Sequence, residues 1–159
     1  MQIDIVIEDN RWTGLDLERL AQDAARAVAQ HLDLADDLEA VVMGCDDDRI
    51  ADLNTEFRDK PRATNVLSWP FADLSSDQEG GTPGVPVVEE LGDIAISFDT
   101  CTREAAEQTL PIEDHVTHLI VHGLLHLLGY DHIRDGDATV MEKLETAILG
   151  KLGVNDPYI

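Results

Sequence analysis

His122-Gly123-Leu124-Leu125-His126-Leu127-Leu128-Gly129-Tyr130-Asp131-His132 reads as the end of a helix followed by a tight turn. His122 and His126 are four residues apart, so on a helix both imidazoles project from one face and can approach one ion. Gly129 is a good left-handed terminator, and a turn there brings His132 round as a third ligand. Upstream, Val116, Leu119, Ile120, Gly123 and Leu127 form the apolar side of the same helix, and Pro111 suits its first turn. Three imidazoles with no cysteine nearby leave at least one coordination position open, which is the form of a catalytic zinc site rather than a structural one. Imidazole nitrogens favour zinc over magnesium, although nickel, copper and iron also accept them.

Working outward, Ile3, Ile5 and Ile7 alternate with Asp4 and Glu8 as in a strand with one buried face. Thr13 with Asp16 predicts a capping pair for a long amphipathic helix with Leu17, Leu20, Ala21, Ala24, Val28 and Leu32 on its stripe. Ala40-Val41-Val42-Met43 predicts a second strand buried on both faces. A helix beginning at Asp46 to Asp48 carries Ile50, Leu53 and Phe57 as its apolar stripe, with Arg58 and Lys60 at its end, where cations complement the helix dipole. Val66-Leu67-Ser68-Trp69 is extended. Residues Asp73 to Glu90, rich in glycine, proline and acids, predict a mobile loop inserted in the domain. Leu91 to Ser97 alternates as a further strand, a helix runs from about Thr100 to Gln108, and a last helix buries Met141, Leu144, Ile148 and Leu152 before Gly153. The expectation is one compact α+β domain over residues 1–159, a small mixed β-sheet covered by helices.

The composition fits that reading. With 159 residues, 43% hydrophobic and 28% charged, the chain can bury a core without disulfides or a partner. Its net charge of −22 disfavours non-specific binding to nucleic acid or anionic membrane, so a phosphate substrate needs a local basic patch or a metal. Arg58, Lys60 and Arg62 supply such a cluster. The isolated Cys45 and Cys101 suit a reducing compartment, the cytoplasm by default, and neither a signal peptide nor a membrane span is legible.

The stretch from His122 to His132 resembles the HGxLHLxGYDH signature of the YbeY family of bacterial metal-dependent endoribonucleases. Leu53-Asn54-Thr55-Glu56-Phe57-Arg58-Asp59-Lys60, Asn65-Val66-Leu67-Ser68-Trp69-Pro70 and Leu91-Gly92-Asp93-Ile94-Ala95-Ile96-Ser97 look like that family's other blocks, in its order. The resemblance implies an α+β fold and one zinc ion held by His122, His126 and His132. It further implies single-strand-specific endonuclease activity in ribosomal RNA (16S 3′-end) maturation and ribosome quality control. The implied partners are ribosomal RNA and the small ribosomal subunit with its proteins. The family's functional arginine, in its FRxK block, corresponds to Arg58. Asn65 stands where the family usually has aspartate, and Trp69 where it usually has phenylalanine, so Asn65 is given no ionisable role.

Phosphodiester cleavage suits these parts. Zinc polarises a phosphoryl oxygen and lowers the pKa of its bound water to ~7. A guanidinium at Arg58 can hold a non-bridging oxygen and the charge of a five-coordinate transition state. Lys60 and Arg62 read as auxiliary phosphate contacts or plain surface charges. Asp131 and Asp93 are candidates for orienting a ligand imidazole, against the plainer roles of stabilising a turn and bonding to backbone. His115 reads as a satisfied core histidine and His118 as a neighbour of the site. The spacing HxxxHxxGxxH also resembles metzincin peptidases, but their catalytic glutamate follows the first histidine, and that position here is Gly123. Two alternatives stay open: a zinc peptidase whose acid comes from elsewhere in the chain, and a non-catalytic ribosome-assembly factor with a structural metal, its acidic surface suiting basic ribosomal proteins.

Overall fold

The computed structural model describes residues 1–159. Four strands, β1 (Gln2–Ile7), β2 (Glu39–Cys45), β3 (Val66–Pro70) and β4 (Glu90–Ser97), form one sheet in the order β1-β2-β4-β3. β1 and β4 flank β2 in parallel, and β3 runs antiparallel along β4 at the edge. The sheet is therefore mixed, and the chain is α+β, as strand patterns early and helix patterns late in the sequence implied. Six helices accompany it: α1 (Arg11–Gly14), α2 (Leu17–Leu32), α3 (Asp47–Arg58), α4 (Phe98–Gln108), α5 (Ile112–Leu127) and α6 (Asp135–Lys151).

One face of the sheet is covered by α2 and α5, with α6 packed against those two helices, and their apolar stripes join Ile3, Ala40, Val42, Ile94 and Ile96 in the main core. α5 is buried nearly all round, including Val116, Ile120, Leu124 and Leu127. On the opposite face α3 covers only part of the sheet, closing a small second core of Cys45, Ile50, Leu53, Leu67 and Ala95. Hence β2 is buried on both faces at Cys45 but only half-buried at Val41 and Met43.

Several local readings need correction. Thr13 and Asp16 do not cap α2. Residues Arg11–Gly14 form a helical turn of their own, and Asp16 at the α2 N-cap has left-handed backbone (φ 57°) with no side-chain capping bond. The extra turn places Trp12 wholly inside, its indole N–H donating to the Cys45 carbonyl at 3.0 Å and its ring against Gly44, where a Cβ would lie 2.6 Å away. α3 is capped as its acids suggested, Asp46 accepting from the Arg49 N–H at 2.9 Å. Its stripe, however, runs out: Ile50 and Leu53 are buried, whereas Phe57 is 58% exposed.

Between β3 and β4 the inserted loop does not stand free. It returns to the α5–α6 connection, where Arg134 donates to the Ser76 carbonyl at 2.9 Å and Glu79 accepts from the Gly136 N–H at 2.8 Å. Leu74 lies against Gly129, whose φ of 102° ends α5 and whose missing Cβ leaves room for the Leu74 carbonyl.

Candidate metal centre

α5 presents His122 and His126 one turn apart, and the connection after Gly129 brings His132 back over them. The ring centroids lie 4.5 Å (His122–His126), 5.2 Å (His122–His132) and 5.0 Å (His126–His132) apart, and one ligand nitrogen from each falls within 4.8 Å of the others. The three histidines singled out by spacing thus converge in space.

Their tautomers test whether a cation fits. His126 Nδ1 sits 2.9 Å from the Tyr130 carbonyl, which can only accept, so that nitrogen carries the hydrogen. His122 Nδ1 donates in the same way to Glu145 at 2.5 Å. With both rings neutral, both Nε2 lone pairs are left free, and they face each other 3.0 Å apart. Two acceptors so close repel unless a cation lies between their lone pairs, and the donor set is one that zinc accepts. Burial, with the neighbouring His122 and His132, holds His126 down to about 4, so its imidazole stays neutral and available as a ligand.

Glu145 of α6 is the residue the sequence reading missed. It has no exposed surface, yet its carboxylate accepts from His122 Nδ1, from His118 Nε2 at 3.1 Å and from the Tyr158 hydroxyl. Burial opposes its ionisation, but these bonds more than offset it and draw the group down to about 2. A signal existed: Glu145 stands four residues after Met141 and three before Ile148, inside the stripe buried by α6. Tyr158, near the C-terminus, packs edge-on against His118 with centroids 5.9 Å apart.

Asp131 and Asp93 do not orient a ligand ring here. Asp131 accepts from the His132 backbone N–H at 2.7 Å and so stabilises the turn. Asp93 is exposed on the far sheet face, beside Asp4 and Trp69. His115 pairs with Glu104 at 2.9 Å, outside the His122, His126 and His132 group, and Asn65 donates to the same carboxylate.

The histidines form one wall of a cleft of about 350 Å³, with Arg58, Asn65, Ser68 and Tyr158 among the residues around it. Arg58, at the end of α3, crosses the outer edge of β3 and donates to the Ser68 carbonyl at 3.0 Å. Lys60 and Arg62 follow in the next loop but do not line the cleft. Gly123, where a peptidase of this spacing carries its glutamate, points at the sheet instead. A Cβ there would lie 3.0 Å from Ile94 Cδ1, so the position offers no carboxylate and little room for one.

A family model described as "Endoribonuclease YbeY" matches residues 2–153. A protein of Ruegeria sp. named "Endoribonuclease YbeY" is 60% identical over all of this chain and 97% of its own length. One of the same name from Paracoccus denitrificans is 59% identical, covering 99% of this chain and 90% of itself. Among solved structures, the solution structure of TM1509 from Thermotoga maritima matches with a TM-score of 0.59 at 23% identity, covering 95% of this chain and 91% of that one, which supports the fold.

Proposed function

The chain belongs to the YbeY family of endoribonucleases, and on that premise we propose that it is a metal-dependent endoribonuclease of ribosomal RNA maturation, holding one zinc ion on His122, His126 and His132. The observation that carries the reading is the pair of facing Nε2 lone pairs 3.0 Å apart, in the same cleft as Arg58. When bound, zinc supplies Lewis acidity and an activated water. Arg58 holds a non-bridging phosphate oxygen and stabilises the charge that grows in the transition state. Glu145 fixes the His122 ring and, by accepting its Nδ1 proton, keeps Nε2 electron-rich.

The substrate in this reading is single-stranded RNA at the 3′ end of the small-subunit ribosomal RNA, and the wider role is ribosome quality control with the small subunit and its proteins as partners. The compartment is the cytoplasm, where thiols such as the buried Cys45 and Cys101 stay reduced. No helix is long and apolar enough to cross a membrane.

The test is cleavage of a single-stranded ribosomal RNA fragment by the purified protein beside a His126→Ala variant of verified fold. Loss of both zinc and cleavage in the variant is expected. Equal cleavage by both proteins would point to a contaminating nuclease, refute the metal mechanism and move the weight to the assembly-factor or peptidase readings.

A further inference from the structure

Phe57 occupies a core position of the α3 pattern and yet lies 58% exposed. Single exposed apolar side chains are ordinary, but the surroundings of this one are not. Its ring stands edge-on to Trp69, with centroids 5.7 Å apart and planes at 70°, so its orientation is held while much of the residue faces water. Arg58 follows directly and reaches the cleft wall through the Ser68 carbonyl.

β3 is the edge strand of the sheet, and successive side chains point to opposite faces. Ser68 lines the cleft, whereas Trp69 packs on the α3 side. Phe57 and Arg58 therefore straddle one edge, the ring on the outer side and the guanidinium towards the histidines. Just beyond, Lys60 and Arg62 sit in a loop fixed by Lys60 N–H to the Asn54 carbonyl (3.1 Å) and by the Asn54 amide to the Arg62 carbonyl (3.0 Å).

Charge singles out the same place. Arg11, Arg19, Arg26, Arg49, Arg103 and Arg134 are each paired with a carboxylate. Lys143 and Lys151, apart on α6, form no such pair, and neither do Arg58, Lys60 and Arg62, but only these last three lie within five residues of one another, so on a chain of net charge −22 they leave a local positive charge free for an anion.

We propose that Phe57 is a stacking platform for an unpaired nucleobase of single-stranded RNA, with Lys60 and Arg62 holding the flanking phosphates and Arg58 receiving the strand at the cleft. The inference rests on the endoribonuclease reading above and adds a binding subsite to it. An aromatic face accepts any base, so this subsite tolerates sequence, and the cations read only backbone. A duplex keeps its bases stacked inside and cannot reach the ring, so the subsite selects unpaired RNA.

The test uses the zinc-loaded protein and an end-labelled 2′-O-methyl oligouridine, followed by anisotropy and by quenching of Trp69. Trp12, the other tryptophan, is fully buried and serves as an internal constant. Base–aromatic stacking predicts that Phe57→Leu, which keeps the apolar bulk, weakens binding roughly 5- to 150-fold. Phe57→Trp restores it, and an abasic oligonucleotide binds the wild type as weakly as the normal one binds the leucine variant. In cleavage of the ribosomal RNA fragment, the leucine variant shows its loss as a raised KM. Wild-type affinity in Phe57→Leu, or equal binding of the abasic probe, would overturn the subsite while leaving the nuclease reading intact if the wild type still cleaves. A wild type that neither binds nor cleaves RNA would overturn both.

Discussion

Glu145→Gln removes one negative charge from the interior while keeping the side chain's size. In the native protein that carboxylate is wholly buried and accepts from His122, His118 and Tyr158. A glutamine has a single oxygen with two lone pairs, so at most two of these bonds survive, and its amide N–H groups are directed at donors. His122 then loses the partner that fixes its ring and keeps Nε2 free. A carboxylate behind a ligand histidine is worth about 10- to 100-fold in metal affinity, or ~1.4–2.7 kcal/mol. Glu145→Ala adds a cavity and strands the donors, at ~1–3 kcal/mol for each one left dry. The His118 and His122 side chains are 18% and 22% exposed, so water recovers part of that cost. The assay is zinc competition against a chelator at neutral pH, where Glu145, drawn down to about 2, is ionised in the wild type. Circular dichroism verifies the fold, and cleavage is measured with and without excess zinc. The expected glutamine variant is folded, binds zinc 10- to 100-fold more weakly by the same rule, and regains part of its activity in excess zinc. Wild-type zinc affinity in a folded Glu145→Gln protein would refute the reasoning.

Arg58→Ala is expected to lose ~100- to 1,000-fold in kcat, the cost of removing one transition-state donor, while retaining full zinc content; undiminished turnover takes Arg58 out of the mechanism. Gly92→Ala is expected to destabilise the protein by roughly 3 kcal/mol or more, because Gly92 has φ 137° and a Cβ there would meet the Trp69 carbonyl at 2.1 Å. Urea titration measures it, and an unchanged midpoint would contradict the tight β3–β4 approach. Burial pushes the Cys45 thiol up to about 12 and raises Cys101 as well, so both hold their protons at neutral and mildly alkaline pH. Iodoacetamide at pH ~8 should therefore modify neither in the native state and both in denaturant, since only the thiolate reacts; labelling of the native protein at the rate of a free thiol would show that they are accessible.

The centre was legible in the sequence to the extent that it is local. A four-residue step on a helix puts two imidazoles on one face wherever that helix packs, and a glycine beyond it permits the turn that returns the third. The strands and most helices followed from apolar periodicity in the same way, because backbone geometry imposes periods of two and 3.6 on any buried face. Where reading failed, the deciding contact lay elsewhere in the chain. Thr13 and Asp16 had the spacing of a cap, but burying Trp12 against Gly44 required a separate turn. Phe57 fitted its stripe, but the stripe outran the core that α3 closes.

By itself the sequence determined which residues could meet within one turn or one strand: His122 with His126, the turn that carries His132, the extended course of β1 and β4. Only the tertiary structure decided that Glu145, 23 residues beyond His122, stands behind that ring, and that Arg58 crosses β3 to the same cleft. The physical reason is that periodicity constrains the direction of a side chain about its own helix or strand, whereas the meeting of distant side chains depends on how whole elements pack. That packing is settled by the summed burial of many residues, and it leaves no mark at the positions of the two that meet.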